Sequence, residues 1–297
     1  MDKNSVKGII SVLAGASLWG FSGTCGQYLF MNYGFDAKWL TSARMLTAGV
    51  ILTLITLIKT KGETFDIFKN KKDTITLLYF AFIGLLLVQF SYLKTIAYSN
   101  SGTATVLQIL FTIIVIFYVC IRTPRAPKAR EVLAVFCAVS GVFLLATHGK
   151  IGTMAISEAA LIWGLISAFS AFVYNTAPVG IINKYGSIKV PGLGMLVGGL
   201  VFLIATGSYK SFPVCDIPSL LATLVLCVGG TAIAFTLYLK GTAAIGPVKA
   251  SQLAAIEPVV ATVVSALWLK TKFYLIDLVG FALIIAIIFI VSKKEDK

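Results

Sequence analysis

Apolar segments of about twenty residues recur along this 297-residue chain, and short polar segments separate them. Each apolar segment is long enough for a helix to cross roughly 30 Å of hydrocarbon. Charged residues crowd into the short segments, such as Lys69 to Asp73 and Lys293 to Lys297. The pattern predicts an all-α integral membrane protein with ten transmembrane helices, at 8–30, 39–58, 74–93, 101–121, 131–147, 157–177, 190–207, 217–239, 247–269 and 274–292.

Composition excludes a soluble monomer. Hydrophobic residues make up 58% of the chain and charged residues only 12%, against about 25% charged residues in soluble domains. The net charge of +13 does not indicate nucleic acid as a partner, because the basic residues are divided among short segments between apolar spans. The five cysteines show no CxxC spacing and are expected to be buried thiols.

The basic residues are distributed unevenly between the two predicted sides of the membrane. With the N-terminus inside, the inner segments carry 18 Lys and Arg and the outer segments carry six, with Arg44 inside the second span. Cytoplasmic segments of membrane proteins carry the excess of Lys and Arg. We therefore expect a multi-pass protein of the plasma membrane with both termini in the cytoplasm.

The chain also matches itself weakly at an offset of 146 residues. This offset carries spans 3 and 4 onto spans 8 and 9, which predicts two five-helix repeats, at 1–150 and 151–297. Since five is odd, the repeats must insert in opposite orientations, an arrangement found in transporters with the substrate site at the repeat interface. The matching pairs are Gly84 with Gly230, Tyr92-Leu93-Lys94 with Tyr238-Leu239-Lys240, Ala97 with Ala243, Ala104 with Ala250 and Leu107 with Leu253.

Glu257-Pro258 lies near the middle of the ninth predicted span. A carboxylate at this depth is costly if it faces lipid, so it is expected to face a polar interior. Pro258 has no N–H and favours a helix kink, because the carbonyl of Ala254 loses its helical partner. Three roles stay open for Glu257: a structural acid that holds the kinked helix, a site of proton coupling, and a direct contact to substrate.

Polar and aromatic residues in several spans recur at helical spacing and share one face of their helix. One interpretation is a central polar cavity, because such faces turn away from lipid. The other is hydrogen bonding between helices, which Ser, Thr, Asn and Gln commonly provide in membranes. The candidate cavity residues are Trp19, Ser22, Gln89, Tyr92, Thr105, Gln108, Trp163, Ser167, Ser170, Tyr174, Asn175, Gln252 and Glu257, with Thr112 on the same face as Gln108.

Arg44 lies a few residues from the outer end of the second span, where its side chain could extend to the lipid headgroups or form a structural pair. An enzyme is not expected, because the chain has one histidine, His148, and neither an HExxH motif nor a Ser/His arrangement. No cofactor and no metal site are predicted. A receptor and a lipid scramblase stay as alternatives outside the transporter class.

These residues resemble the drug/metabolite transporter superfamily, specifically its EamA-type branch, over nearly the whole chain. The resemblance rests on Leu18-Trp19-Gly20, Arg44, the helix ends at Tyr92 and Tyr238, and Glu257-Pro258-Val259. Two features depart from the family pattern. Lys270-Thr271-Lys272 stands where a Gly-Glu pair is frequent, and Gln108 to Thr112 lacks the frequent proline.

The resemblance implies alternating access that moves small metabolites, often amino acids outward, without ATP and in a bacterial inner membrane. The partners it implies are a small-molecule substrate, the lipid bilayer and protons as a candidate coupling ion. An importer of choline-like cations is an alternative, with Trp19, Trp163, Tyr92 and Tyr174 available for an aromatic box. A drug efflux transporter is another. The sequence carries no indication of an oligomeric state.

Overall fold

The computed structural model describes residues 3–60, 63–150, 154–210, 212–213 and 216–292. Within these ranges the chain is helical and contains no strand. The terminal lysines from residue 293 onward and Cys215 lie outside the described residues, and the other four cysteines are buried free thiols. The long helices are α1 (Lys3–Tyr33), α2 (Ala37–Thr60), α3 (Lys71–Tyr98), α4 (Ser101–Arg122), α5 (Ala129–Thr147), α6 (Glu158–Thr176), α7 (Lys189–Thr206), α8 (Ile217–Ile245), α9 (Pro247–Ala254 and Ile256–Trp268) and α10 (Leu275–Ser292).

The helices correspond in position to the predicted apolar segments. In the described chain, α1 to α8 are long and apolar enough to cross a membrane, and two shorter apolar helices follow at Gln252–Trp268 and Leu275–Val291. The expectation of an all-helical membrane protein is therefore confirmed. The observed helices extend past about half of the predicted ends, because polar residues at these boundaries continue the helical hydrogen bonding, and they coincide with or stop just inside the others.

Side-chain caps fix where several helices begin. The side chains of Asn70, Asn100, Ser157 and Asp216 each accept a hydrogen bond from the backbone N–H three residues later, at the starts of α3, α4, α6 and α8. Such caps satisfy N–H groups that have no partner inside the helix. Each of these four helices therefore begins at the boundary between a polar loop and the apolar segment that follows it.

Four irregular segments interrupt the long helices. π-helical turns occupy Phe80–Leu86 in α3 and Val225–Ile233 in α8. The helical pattern also changes at Ile109 and Leu110 in α4 and at Ala255 in α9, where backbone N–H groups bond to carbonyls three residues back. π-helical turns frequently occur at functional sites.

Glycines allow the closest helix crossings. A Cβ atom on Gly141 of α5 would lie 2.6 Å from the Ile284 Cγ1 atom and 2.9 Å from the Gly280 carbonyl oxygen of α10. The two helices therefore pack backbone to backbone, and a buried cluster with Ile116, Leu145 and Ile284 surrounds the crossing. In the other contacts, α1 packs against α8 and α9, α6 packs against α3 and α4, and α2 packs against α7.

Gly141→Ala is expected to destabilise the protein, because the added methyl group has no space between α5 and α10. Overpacking of this kind costs about 1–3 kcal/mol, which should lower the thermal unfolding midpoint in detergent. Gly180→Ala is the matched control, because a Cβ atom there meets nothing within 4 Å. An unchanged midpoint for Gly141→Ala would show that the α5–α10 crossing is looser than described.

Candidate transport cavity

A cavity of about 590 Å³ lies inside the helical bundle. Every long helix except α5 contributes to its described wall, together with the short helix Val179–Tyr185 that connects α6 to α7. Pockets for small ligands typically span about 300 to 1,000 Å³. The cavity is therefore large enough for a metabolite.

The structure brings most of the predicted residues together in this wall. The predicted residues that line the cavity are Trp19, Gln89, Tyr92, Thr105, Gln108, Tyr174, Asn175 and Glu257, and Thr112 and Pro258 lie beside them. Five other candidates do not line it: Ser22, Trp163, Ser167, Ser170 and Gln252.

These five side chains have other surroundings. The hydroxyls of Ser22 and Ser170 each donate to a carbonyl of their own helix at 2.8 Å. The Trp163 ring packs against Phe90 with 5.4 Å between centroids, so the proposed four-residue aromatic box is not assembled. Ser167 accepts a hydrogen bond from the Gln108 amide at 2.8 Å and so supports a wall residue from behind. Gln252 is half-buried in the first part of α9.

Glu257 lies in the first turn of the second part of α9. The helix is interrupted at Ala255, one turn before the position of Pro258, because the proline cannot donate to the carbonyl of Ala254. The Glu257 carboxyl group lines the cavity and makes no hydrogen bond or ion pair to any described residue. It is therefore available to a solute.

Arg44 is a wall residue that the sequence did not single out for the cavity. Its side chain is buried, with 6% of the residue exposed, so it does not reach the headgroups. The Nε group donates to the Thr231 hydroxyl at 2.7 Å and the Nη2 group donates to the Gly230 carbonyl at 3.1 Å. Thr231 in turn donates to the Leu226 carbonyl at 3.1 Å. The guanidinium group thus bonds directly to the Gly230 carbonyl and, through the Thr231 hydroxyl, supports the bond to the Leu226 carbonyl in the π-helical turn of α8.

Arg44 and Glu257 are the charged residues of the described cavity wall, and they interact electrostatically. Together they give the cavity one guanidinium group and one carboxyl group. The Trp19 ring lies beside Tyr238, with 5.0 Å between centroids. The Tyr92 hydroxyl bonds to Thr105 at 3.0 Å. No cluster of metal-ligating side chains occurs in the part of the chain that the structure describes.

The two ends of the cavity differ. At one end its wall includes Ile182, Ser187 and Val291, which lie between α6 and α7 and at the end of α10. A polar cluster, which we call the Gln27 cluster, packs at the opposite end of the bundle. It consists of the buried residues Thr24, Gln27 and Ser101 and the half-buried Thr271. The Gln27 amide donates to Thr271 at 2.8 Å and accepts from the Ser101 N–H at 2.9 Å. Thr24 bonds to the Ser101 hydroxyl at 3.1 Å.

Apolar helices around an internal cavity with both polar and apolar lining residues are typical of polytopic membrane proteins of the solute-transport class. The chain belongs to the EamA-like transporter family, whose sequence profile matches residues 6–147 and 158–293. This membership confirms the resemblance inferred from the sequence motifs.

The chain is similar to the uncharacterized inner membrane transporter YicL of Salmonella typhimurium, with 38% identity over 98% of this chain and 97% of the relative. It is also similar to a chloroplastic WAT1-related protein of Arabidopsis thaliana, with 26% identity over 45% of this chain and 34% of the relative. A solved crystal structure has a similar fold, with a TM-score of 0.61 and 14% identity over 98% of this chain and 96% of that chain.

Arg44→Lys is expected to destabilise the protein, because one ammonium group cannot reproduce the two directed hydrogen bonds to the π-helical turn. Hydrogen bonds to charged groups are worth about 1.5–3 kcal/mol, so thermal unfolding in detergent should begin at lower temperature. Lys38→Gln changes an exposed cation on the same helix and serves as the control. Equal midpoints for Arg44→Lys and the wild type would contradict the role assigned to Arg44.

Proposed function

We propose that the protein transports a small zwitterionic metabolite by alternating access, through ten membrane crossings arranged as two inverted five-helix units, 1–150 and 151–297. The observation that carries this proposal is the internal cavity, whose wall contains one buried cation and one unpartnered carboxyl group. Transport through this cavity requires no bond to be made or broken in the solute, so the proposal includes no enzymatic step.

The irregular segments support the two-unit arrangement. A shift of 146 residues places the π-helical turn Phe80–Leu86 within the other π-helical turn, Val225–Ile233. The same shift places the interruption at Ile109 on the interruption at Ala255. Helices that are interrupted at corresponding positions of two repeats point to the binding site of a secondary transporter.

The helix contacts are also exchanged by this relation. The 146-residue shift pairs α1 with α6. It matches the contacts of α1 with α8 and α9 to the contacts of α6 with α3 and α4. The shift also pairs α2 with α7 and α5 with α10. Because the two helices of each pair contact each other, each of these contacts is its own counterpart. This exchange is expected of two units related by a twofold axis in the membrane plane.

The charge distribution favours cytoplasmic termini, and the Salmonella relative supports the bacterial inner membrane as the location. In this orientation the cavity end near Ser187 and Val291 is cytoplasmic, and the Gln27 cluster is on the outer side. The structure then corresponds to an inward-open state. An outward-open state requires α1 to separate from α4 and from the α9–α10 loop at the Gln27 cluster.

A zwitterion matches the two charged wall groups. The Glu257 carboxyl group would accept hydrogen bonds from a substrate ammonium group. The Arg44 Nη1 group, which makes no hydrogen bond to a described residue, would donate to a substrate carboxylate. Large apolar side chains in the same wall, including Phe80, Phe111 and Met195, would contact the rest of the solute. Amino acids and related compounds fit this description, and the resemblance to EamA-type proteins favours their export.

A choline-like cation is the second candidate substrate. Trp19, Tyr92, Tyr174 and Tyr238 all line the cavity with Glu257, and aromatic faces bind quaternary ammonium groups. In this alternative the Arg44 Nη1 group has no role in binding.

Purified protein in liposomes is expected to move a neutral zwitterion down its concentration gradient without ATP. A panel of labelled amino acids, organic cations and amphipathic drugs would distinguish the candidate classes. Flux of a quaternary ammonium compound and of no amino acid would replace the zwitterion by the cation. Neither flux nor a thermal shift with any compound would overturn transport and favour a receptor or a scramblase.

Glu257→Gln keeps the shape of the side chain and removes its charge, so the protein should fold. The KM for the zwitterion should rise about 10-fold to 100-fold, because a hydrogen bond to a charged group is lost. Glu158→Gln, at an exposed position on α6, is the control. Flux is measured with and without a pH gradient. An unchanged KM with loss of gradient dependence would replace substrate contact by proton coupling. Loss of folding would support a structural acid instead.

A further inference from the structure

A second recess lies outside the transport cavity, at the crossing of α1 and α8. Glycines from both helices meet there. A Cβ atom on Gly8 would lie 2.7 Å from the Ile245 Cγ2 atom, and one on Gly241 would lie 2.6 Å from the Gly8 carbonyl oxygen. The two backbones are therefore in contact, and the residues next to these glycines are held at fixed positions.

Lysines precede both glycines in the sequence, and the close crossing places Lys7 and Lys240 in one recess of about 550 Å³. Asn4 and Ser11 add an amide and a hydroxyl group to the same wall. The wall contains no carboxylate among its described residues. All four side chains carry hydrogen-bond donors, and two of them are cationic.

Lys7 and Lys240 differ from two other lysines of the chain, Lys184 and Lys189, which form ion pairs with aspartates. Lys184, between α6 and α7, bonds to Asp73 in the first turn of α3 at 2.6 Å, and Lys189, at the start of α7, bonds to Asp66, between α2 and α3, at 2.7 Å. Lys7 and Lys240, in contrast, form no ion pair within the described part of the chain. No carboxylate among the described residues pairs with their positive charge.

The surroundings favour a lipid as the source of the missing negative charge. Val6 and Ile10, within one turn of Lys7 on α1, are 42% and 60% exposed, as expected for side chains beside acyl chains. The favoured orientation places the lysines at the cytoplasmic end of α1 and α8, where lipid phosphates lie. Basic pockets between helices on this side of a membrane suit phospholipid headgroups.

We propose that the recess formed by Asn4, Lys7, Ser11 and Lys240 binds the phosphate of an anionic phospholipid headgroup. The two ammonium groups contact the phosphate oxygens, and the acyl chains follow the exposed apolar side chains of α1. The site is independent of the transport cavity, so failure of the transport proposal would leave it unchanged.

The test measures lipid binding to the full chain in detergent by native mass spectrometry, with phosphatidylglycerol and phosphatidylcholine as probes. Each interfacial lysine contributes about fivefold to the affinity for anionic lipid. The wild type should therefore prefer phosphatidylglycerol about 30-fold, and the Lys7→Gln, Lys240→Gln double variant should lose this preference. The variant with Lys7→Arg and Lys240→Arg should retain it. The control carries Lys38→Gln and Lys210→Gln, the same change of net charge at exposed positions, and should also retain it.

Three results would overturn the proposal. The first is an equal affinity of the wild type for both lipids. The second is an equal loss of preference in the control variant, which would indicate a general effect of net charge. The third is displacement of phosphatidylglycerol by millimolar inorganic phosphate, which would assign the recess to a soluble anion. Since the arginine variant and the wild type report directly on the site, a double glutamine variant that failed to fold would not prevent a decision.

Discussion

Hydrocarbon offers no water to a backbone carbonyl or a charged side chain, so both must find partners inside the protein. In this bundle Arg44 and the π-helical turn of α8 meet that requirement together. The guanidinium group donates to the Gly230 carbonyl and to the Thr231 hydroxyl, and Thr231 donates to the Leu226 carbonyl of the same turn. The cavity is organised around this pair, because it holds α2 against α8 and fixes a cation beside the unpartnered carboxyl group of Glu257.

The proposed repeat also relates each of the two charged residues of the cavity wall to a position in the other unit. The 146-residue shift carries Arg44 onto Val190 and Glu257 onto Phe111, so each charged residue has an apolar counterpart. In the proposed two-unit arrangement the units would share a helical framework and differ at these charged positions. A solute with a charged head and an apolar remainder would fit such a cavity in one orientation.

The positions of the helices could be predicted from the sequence, because bilayer thickness sets the length of each apolar segment. The placement of Glu257 and Tyr92 in the cavity wall also followed from their depth or their helical face. The sequence did not point to Arg44 as a wall residue, since its partners are 186 and 187 residues away. Ser22 and Ser170 were placed in the predicted cavity, but a serine hydroxyl can bond to its own helix and then marks no polar face.

In the proposed transport cycle the protein must open at the Gln27 cluster, where the Gln27 amide donates to Thr271. Gln27→Cys and Thr271→Cys can be joined with a short bis-methanethiosulfonate reagent, in a background without the five native cysteines; each thiol forms a disulfide with the reagent and methanesulfinate leaves. Cross-linked protein in liposomes is expected to bind substrate but to carry no flux, and reduction of the disulfides should restore flux. Wild-type flux through fully cross-linked protein would contradict alternating access at this cluster.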